Sequence, residues 1–353
     1  MKRFVHSLFF GLALVGAVAA RADSPPPESW TFTLHYENDL FANTDRFYTN
    51  GIKLSWVSPD MKWFQDLEFL RQDHLPARLG NGFINLLPWS ADQSRQRNLS
   101  LSVGQLMFTP RDITRHDLIR DDRPYAGWLY GSAAFHSKTY RRLDTFELQA
   151  GLTGPWSLAH EAQDLVHELR GIDKAKGWRN QIDTELGVAL VYDRKLRVLP
   201  RQDFIEQWGV DAILHFGGAA GTVFTHAGAG MEARLGWNLP TDFGTGVIRP
   251  AGEINMPTDT RDPRYQEQGG DISAYLSASV GGRWVLRDIF LDGNTFEDSH
   301  DVDKEPLVGD VVLAASVIWQ RFKFSYSHVL RSHEFEGQRG TQQFGSLSLS
   351  FTY

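Results

Sequence analysis

The sequence predicts an all-β fold, a closed antiparallel transmembrane β-barrel of about twelve strands with one short helix at its mouth. Apolar or aromatic residues alternate with polar residues over many segments, and a period of two indicates a sheet with one apolar face. The segments run to about 9–12 residues, the length that a tilted strand needs to cross a bilayer. The opposite face consists of Thr, Ser, Gly, Gln, Glu and Lys, which suits a wet lumen better than the core of a soluble sandwich.

The composition narrows the classes of protein further. The 353-residue chain has a net charge of -7, no cysteine, 42% hydrophobic residues and a mean hydropathy of -0.34. Such a hydropathy is typical of a soluble protein, but a barrel with a polar lumen has it too. Zero cysteines exclude disulfide frameworks, cysteine zinc sites and iron–sulfur clusters. The acidic balance argues against nucleic-acid binding.

The first segment predicts export. Residues 1–22 combine a basic start, a short apolar run over 8–15 and a small-x-small sequence over 20–22. We expect a secretory signal peptide that is removed, because the apolar run is too short to span a membrane comfortably. Cleavage leaves residues 23–353 as a single barrel domain with 33 basic and 43 acidic residues, a net charge of -10.

Twelve segments carry the strand pattern, an even number, as a closed bacterial barrel requires. They are 30–37, 48–57, 98–108, 126–136, 144–154, 183–193, 207–217, 222–237, 272–287, 308–320, 321–331 and 343–353. Aromatic residues stand near segment ends, where interfacial girdles form: Trp30, Tyr36, Trp56, Trp237 and Trp319. The last segment ends on Tyr353, which resembles the C-terminal signal of outer-membrane proteins. We therefore expect the bacterial outer membrane as the location.

Two long connections do not fit the simplest barrel. If the N-terminus is periplasmic, 58–97 and 239–271 fall on the periplasmic side, where turns are usually short. Either both are periplasmic insertions, or the strand count is wrong by one hairpin.

One segment has the period of a helix. Residues 157–170 place Leu158, Ala162, Leu165 and Leu169 at helical spacing. Ser157 is a candidate N-cap and Gly171 a candidate C-terminal stop. We expect this helix to fold over or into the barrel mouth.

Candidate chemistry is densest in the polar loop at 37–51. Asp39 and Thr49 share the parity of the inward residues around them, and oxygen-rich acidic loops suit calcium. A solvated hairpin loop rich in turn formers explains the same composition. The acid spacing does not match an EF-hand.

His167 and Arg123 are two further candidates. His167 is followed by Asp173, and the pair could act as a general base with its carboxylate; a surface histidine is the alternative. Arg123 belongs to an arginine-rich loop that could engage lipid phosphates, or could be a solvated mixed-charge loop. No G-x-S-x-G motif occurs, so serine hydrolysis has no support from a motif.

Three blocks of this sequence resemble the outer-membrane lipid A 3-O-deacylase family. They are YENDLFANTDRFYTNGIKLSW at 36–56, DDRPYAGW at 121–128, and the His167-x5-Asp173 segment that runs on to GWRNQI. The resemblance implies a twelve-stranded barrel with its active site near the outer leaflet. It also implies a requirement for Ca2+ and the removal of an ester-linked acyl chain from lipid A.

The resemblance also implies roles for single residues. Asn38 and Asp39 match the Asn-Asp pair of the family, Thr49 its hydroxyl residue, and His167 its catalytic histidine. Asp173 falls where characterised members carry a Glu, which keeps the charge but shortens the reach. The implied mechanism has His167 activate water, while a calcium ion near Asp39 stabilises the oxyanion and Asn38 donates to the same oxygen.

The implied partners are lipid A or lipopolysaccharide in the outer leaflet, with Arg123 as a substrate contact. We expect a monomer that binds no nucleic acid. The alternatives are an outer-membrane phospholipase with a Ser-His site, a non-catalytic channel or structural barrel, and a soluble periplasmic sandwich.

Overall fold

The computed structural model describes residues 29–42, 47–64, 71–73, 75–87, 92, 94–252, 255–258, 262–265 and 272–353, and within them twelve antiparallel strands form one closed barrel. The strands are β1 Thr31–Asn38, β2 Phe47–Val57, β3 Gln96–Thr109, β4 Ala126–Lys138, β5 Arg142–Thr153, β6 Leu186–Ile205, β7 Trp208–Gly221, β8 Phe224–Trp237, β9 Ser273–Asp288, β10 Leu307–Trp319, β11 Phe322–Arg331 and β12 Gln342–Thr352. The predicted fold class and strand number are confirmed. The predicted signal peptide, 1–22, lies outside the described residues.

The barrel closes where β1 pairs with β12. The register runs from Thr31 opposite Thr352 to Asn38 opposite Gly345. Inward hydroxyl groups support the seam, with Thr31 Oγ1 3.2 Å from Thr352 Oγ1. Closure leaves no strand edge with unpaired backbone groups, which a membrane would not tolerate.

The two faces of the wall differ as the period of two predicts. Inward residues such as Thr33 and Ser55 are buried, and outward residues such as Leu148, Leu276 and Leu313 are more than half exposed. The wall therefore presents an apolar surface to lipid and a polar surface to the lumen. No helix among the described residues is long and apolar enough to cross a membrane.

The helices lie in the connections between strands. They are α1 Leu75–Leu86, α2 Ala159–Arg170 and α3 Ile289–Asp292. α2 begins two residues later than predicted. Its N-cap is Leu158 and not Ser157, and Leu158 has a left-handed backbone conformation. It ends at Gly171 with φ 65°, as predicted.

The start of β1 and the end of β12 lie at one end of the barrel, which the pattern of bacterial barrels assigns to the periplasm. Tight turns at 206–207 and 320–321 lie there too, and the connections between β2 and β3 and between β8 and β9 begin and end there. Because the strand count holds, the alternative of a miscounted hairpin is wrong. α1 belongs to the first of these connections, and the sequence pattern did not predict it.

The second long connection folds back into the lumen. We call its described part, 239–252, 255–258 and 262–265, the plug. Its hydrogen bonds reach inward side chains on five strands around the barrel: Glu37 of β1, Lys138 of β4, Glu147 of β5, Glu232 of β8 and Lys323 of β11. Only a segment inside the barrel can reach side chains on so many strands.

A buried ionic network holds the plug. Asp242 of the plug is 0% exposed and accepts from Arg234 at 2.6 Å, Lys323 at 2.8 Å and Arg264 at 3.1 Å. Arg234 also donates to Asp211 at 2.6 Å. We call the connected side chains the plug network: Arg197, Asp211, Arg234, Asp242, Asp262, Arg264 and Lys323.

The plug network makes a prediction for stability. Asp242→Asn leaves three buried cations short of one carboxylate, and breaking a buried ion pair costs about 3–5 kcal/mol of unfolding free energy. Asp203→Asn is the matched control, because Asp203 is partly exposed and pairs with Arg201 on the periplasmic hairpin; it costs about 0–1 kcal/mol. Urea unfolding in detergent micelles measures both. Equal, small losses would contradict the structural role of the plug network.

Candidate active site

The end of β1 carries the two residues with the strongest predicted roles. Asn38 is the last residue of β1 and lies opposite Asn50 of β2 and Gly345 of β12. Asp39 opens a 3-10 turn, Asp39–Ala42, and its side chain is 0% exposed. Strand pairing on two sides therefore fixes Asn38, and Asp39 follows directly after this fixed point. Residues 43–46 of this loop lie outside the described residues.

Thr49 lies in β2 at an irregularity of the β2–β3 pairing. Tyr48 is opposite Phe108 and Asn50 is opposite Met107, so Thr49 is the extra residue of a β-bulge. Its buried hydroxyl lies 2.7 Å from the hydroxyl of Thr109, at the end of β3. Inward parity was predicted for Thr49, and its burial agrees.

Glu37 ties this rim to the plug. Its carboxylate accepts from the Tyr48 hydroxyl at 2.7 Å and from the Ile248 backbone N–H at 2.6 Å. Glu37 directly precedes Asn38 and Asp39 in the chain. The tip of the plug therefore supports the end of β1 from inside the lumen.

Helix α2 lies close against the barrel wall. A Cβ at Gly127 of β4 would lie 2.1 Å from Ser157 Oγ and 2.3 Å from Ala159 Cβ, so glycine is needed there for this approach. Ser157 Oγ donates to Gly154 O at 2.6 Å, which fixes the turn before the helix. Inside the helix, Gln163 accepts from the Trp178 indole at 2.6 Å.

His167 lies on the buried face of α2 and is 3% exposed. Its Nδ1 is 2.6 Å from the backbone carbonyl oxygen of Asp173. The contact is possible because the chain reverses at Gly171, where Ile172 N donates to His167 O at 3.0 Å. A carbonyl only accepts, so Nδ1 carries the proton and the lone pair of the neutral ring is on Nε2.

Asp173 is near His167, but through its backbone. The side chain of Asp173 is exposed, and the contact to the imidazole uses the main-chain carbonyl. The structure thus brings the two residues together in a way that the spacing did not indicate. A role for the Asp173 carboxylate stays a prediction.

The C-terminal end of α2 approaches the end of β1. Tyr36 lies within electrostatic range of both Arg170, the last residue of α2, and Asp39. His167 precedes Arg170 by about one helical turn. The order of the strands places α2, which carries His167, and the Asn38–Asp39 pair at the same, extracellular, end of the barrel.

Arg123 lies elsewhere and is buried. Its guanidinium donates to Glu334 at 3.1 Å and lies 4.6 Å over the Phe108 ring. Glu334 also pairs with Arg331 at 3.2 Å and Arg283 at 3.2 Å. In this arrangement Arg123 joins the loop after β3 to the loop after β11, and its predicted contact with substrate stays a prediction.

A cavity of about 210 Å³ lies in the lumen beneath these loops. It is bounded by Ile248 of the plug below and by Arg331 and Glu334 above. Among the described residues, no predicted site residue lines it. Across the same part of the chain, no cluster of three or more His, Asp or Glu side chains has the placement of a metal site.

Sequence reasoning missed Glu37 and the plug network. The missed signal was charge at inward parity: Asp211, Arg234 and Lys323 alternate with outward apolar residues. A charge facing the lumen needs an internal partner. The acids at 242 and 262, in a connection too long for a turn, could have indicated where that partner comes from.

A closed twelve-strand barrel with a polar lumen and an apolar outer wall defines a bacterial outer-membrane protein. Residues 8–353 match the family model of outer membrane protein LpxR, and the chain belongs to that family. No curated protein sequence matches the chain.

The fold is shared with a solved structure. LpxR from Salmonella typhimurium superposes with a TM-score of 0.70 at 17% identity, covering 92% of this chain and 100% of that one. The β domain of the Bordetella autotransporter BrkA matches with a TM-score of 0.38 at 8% identity, over 92% and 98% of the two chains. The Pseudomonas putida toluene transporter TodX matches with a TM-score of 0.32 at 10% identity, over 93% and 91%.

The Arg123–Glu334 pairing predicts a pH effect. Burial alone would raise the pKa of Glu334, but Arg331, Arg123 and Arg283 outweigh it and lower the pKa below 4.5. A lowered pKa means that the carboxylate stabilises the fold fully above pH 4.5 and loses this effect as the pH falls further. Glu334→Gln should therefore cost about 3 kcal/mol at pH 7 and progressively less below pH 4.5.

Glu336→Gln is the matched control, because Glu336 is exposed in the same loop. Denaturant unfolding of both variants in detergent micelles, between about pH 3 and pH 8, measures the difference from the wild type. A Glu334→Gln deficit that stays constant over this range would overturn the assignment of an ionised Glu334.

Proposed function

We propose that the protein is an outer-membrane lipid A deacylase that hydrolyses a 3′-position acyloxyacyl ester of lipid A or lipopolysaccharide. Membership of the LpxR family supports lipid A deacylation at the level of the family. The observation that carries the proposal is the buried imidazole of His167, with Nδ1 against a backbone carbonyl, at the barrel end where Asn38 and Asp39 lie.

His167 is the general base. Its Nδ1–H is held by the Asp173 carbonyl at 2.6 Å, so Nε2 accepts the proton of the attacking water. The oxygen of that water bonds to the acyl carbonyl carbon. When the ester C–O bond breaks, the imidazolium returns the proton to the leaving hydroxyl oxygen, and no covalent enzyme intermediate forms.

The residues at the end of β1 fit a calcium ion. Asp39 offers a fully buried carboxylate, and neutral oxygens come from Asn38, its neighbour in the chain, and from Thr49, which precedes the register partner of Asn38. These are the hard donors that calcium takes. When bound, calcium supplies Lewis-acid stabilisation of negative charge on the ester carbonyl oxygen. The amide of Asn38 donates a hydrogen bond to the same oxygen, and the Thr49 hydroxyl orients water or substrate.

Asp173 supports the base through its main chain. The group that holds the His167 ring is the backbone carbonyl of residue 173, which any amino acid at this position would supply. The side chain of Asp173 is exposed. The change from Glu to Asp relative to characterised members therefore leaves the ring-holding contact in place.

A serine–histidine site has a specific observation of its own. Ser100 Oγ lies 2.9 Å from His136 Nε2, and His136 Nδ1 lies 2.9 Å from the Thr145 hydroxyl. All three residues are buried at inward positions, and a hydroxyl stands where a triad needs a carboxylate. A lipid ester in the membrane contacts the outer wall of the barrel and does not reach these inward residues. Ser100 and His136 are therefore better explained as part of the packed lumen than as a phospholipase site.

The plug argues against the alternative that the barrel is a passive channel. It enters from the periplasmic end, reaches Glu37 near the extracellular end of β1, and is hydrogen-bonded to strands around the barrel. A passive barrel would also leave the buried His167 and the glycine contact beneath α2 without a purpose. The hydrolase therefore explains more of the molecule than a channel does.

The test is mass spectrometry of lipid A from cells that express the protein, with and without a calcium chelator. The wild type should remove the acyl unit only when calcium is present. His167→Ala should lower the rate by about 10²–10⁴-fold, the range for loss of a general base. His160→Ala is the matched control, because His160 lies on the same helix with a side chain 44% exposed, and it should keep the activity.

Folding of each variant is checked by the heat-dependent shift of the barrel on gels. An unchanged lipid A spectrum from correctly inserted wild-type protein would overturn the deacylase assignment. Equal losses in the two histidine variants would overturn the role of His167.

A further inference from the structure

Three arginines converge on one carboxylate on the outer wall of the barrel. Asp144 of β5 forms ion pairs with Arg95 at 2.7 Å, Arg142 at 2.6 Å and Arg194 at 2.6 Å. The Tyr192 hydroxyl donates to Asp144 as well, at 2.8 Å. We call Arg95, Arg142 and Arg194 the arginine cluster.

The arginine cluster faces the membrane and not the lumen. Asp144 alternates with the inward residues Leu143 and Thr145 and shares its parity with Leu148, which is 56% exposed on the outer wall. Its register partners are Ser137 of β4 and Arg194 of β6. The side chain of Asp144 is itself completely covered by the arginines that bind it.

The depth of the arginine cluster is that of the periplasmic head groups. Asp144 is the third residue of β5, directly after the turn 139–141 at the periplasmic end. Two residues further into the membrane, Phe146 and Tyr192 form an outward aromatic pair with ring centroids 4.9 Å apart. Aromatic girdles mark the membrane interface, so the arginines lie just outside it.

The charges of the cluster do not balance. Arg95 has a second partner in Asp92 at 3.0 Å, so among the described residues three guanidinium groups share two carboxylates. Arg95 is almost covered, whereas the side chains of Arg142 and Arg194 are 31% and 26% exposed. Surplus positive charge at an interface of low dielectric needs an anion, and guanidinium groups bind phosphate through paired N–H donors.

We propose that Arg142 and Arg194 form a binding site for the phosphate of an anionic phospholipid in the periplasmic leaflet. Asp144 holds the two guanidinium groups side by side, and Phe146 and Tyr192 pack against the glycerol and upper acyl region of the lipid. This site lies at the opposite end of the barrel from His167 and does not depend on the deacylase proposal. Its occupant anchors the barrel at a fixed depth in the membrane.

The test is native mass spectrometry of the full-length mature protein in detergent, titrated with phosphatidylglycerol. The Arg142→Gln/Arg194→Gln double variant should bind one tightly held phosphatidylglycerol about twenty-five-fold more weakly than the wild type, at about five-fold for each arginine. Arg179→Gln/Arg339→Gln is the matched control, because both arginines are exposed in extracellular connections. It should bind like the wild type.

A parallel titration with lipid A separates the two leaflets. The double variant should bind lipid A like the wild type; a loss of lipid A affinity without a loss for phosphatidylglycerol would overturn the proposal. So would equal phosphatidylglycerol affinity in the wild type and the double variant. If the double variant does not fold, the two single variants take its place, each expected to bind about five-fold more weakly, and unchanged affinity in both overturns the site.

Discussion

A chain that crosses hydrocarbon must satisfy its backbone N–H and C=O groups internally, and a β-sheet does so only by closing on itself. In this protein closure takes place where β1 pairs with β12. The same pairing fixes the end of β1, where Asn38 lies between β2 and β12. The candidate active site therefore depends on the interaction that makes membrane insertion possible.

The candidate active site also depends on the charged side chains in the lumen. Closure turns charged side chains inward, and each must find a partner away from bulk water. The plug supplies Asp242 to Arg234 and Lys323, and its tip donates to Glu37, the residue before Asn38. A periplasmic insertion thus supports an extracellular rim through the barrel interior, so the stability of the plug and the geometry of the rim are linked.

The sequence predicted the barrel because a period of two survives in almost every strand, and the helix that carries His167 because its period differs. It did not predict the full length of β6, whose residues beyond 193 form an irregular hairpin at the periplasmic end. The plug was missed because the partner of an inward charge is set by three-dimensional folding. The contact of His167 with the Asp173 carbonyl could not be predicted from the amino-acid sequence, since every residue has a backbone carbonyl.

The calcium dependence of lipid A hydrolysis by the purified protein tests the proposed active site most directly. Asp39→Asn removes the buried carboxylate but keeps its size, and Asp121→Asn in an exposed loop is the control. The calcium concentration for half-maximal rate should rise by about ten-fold or more in Asp39→Asn and stay unchanged in the control, because calcium affinity depends on the number of charged ligands. The same calcium dependence in Asp39→Asn and the wild type would contradict it.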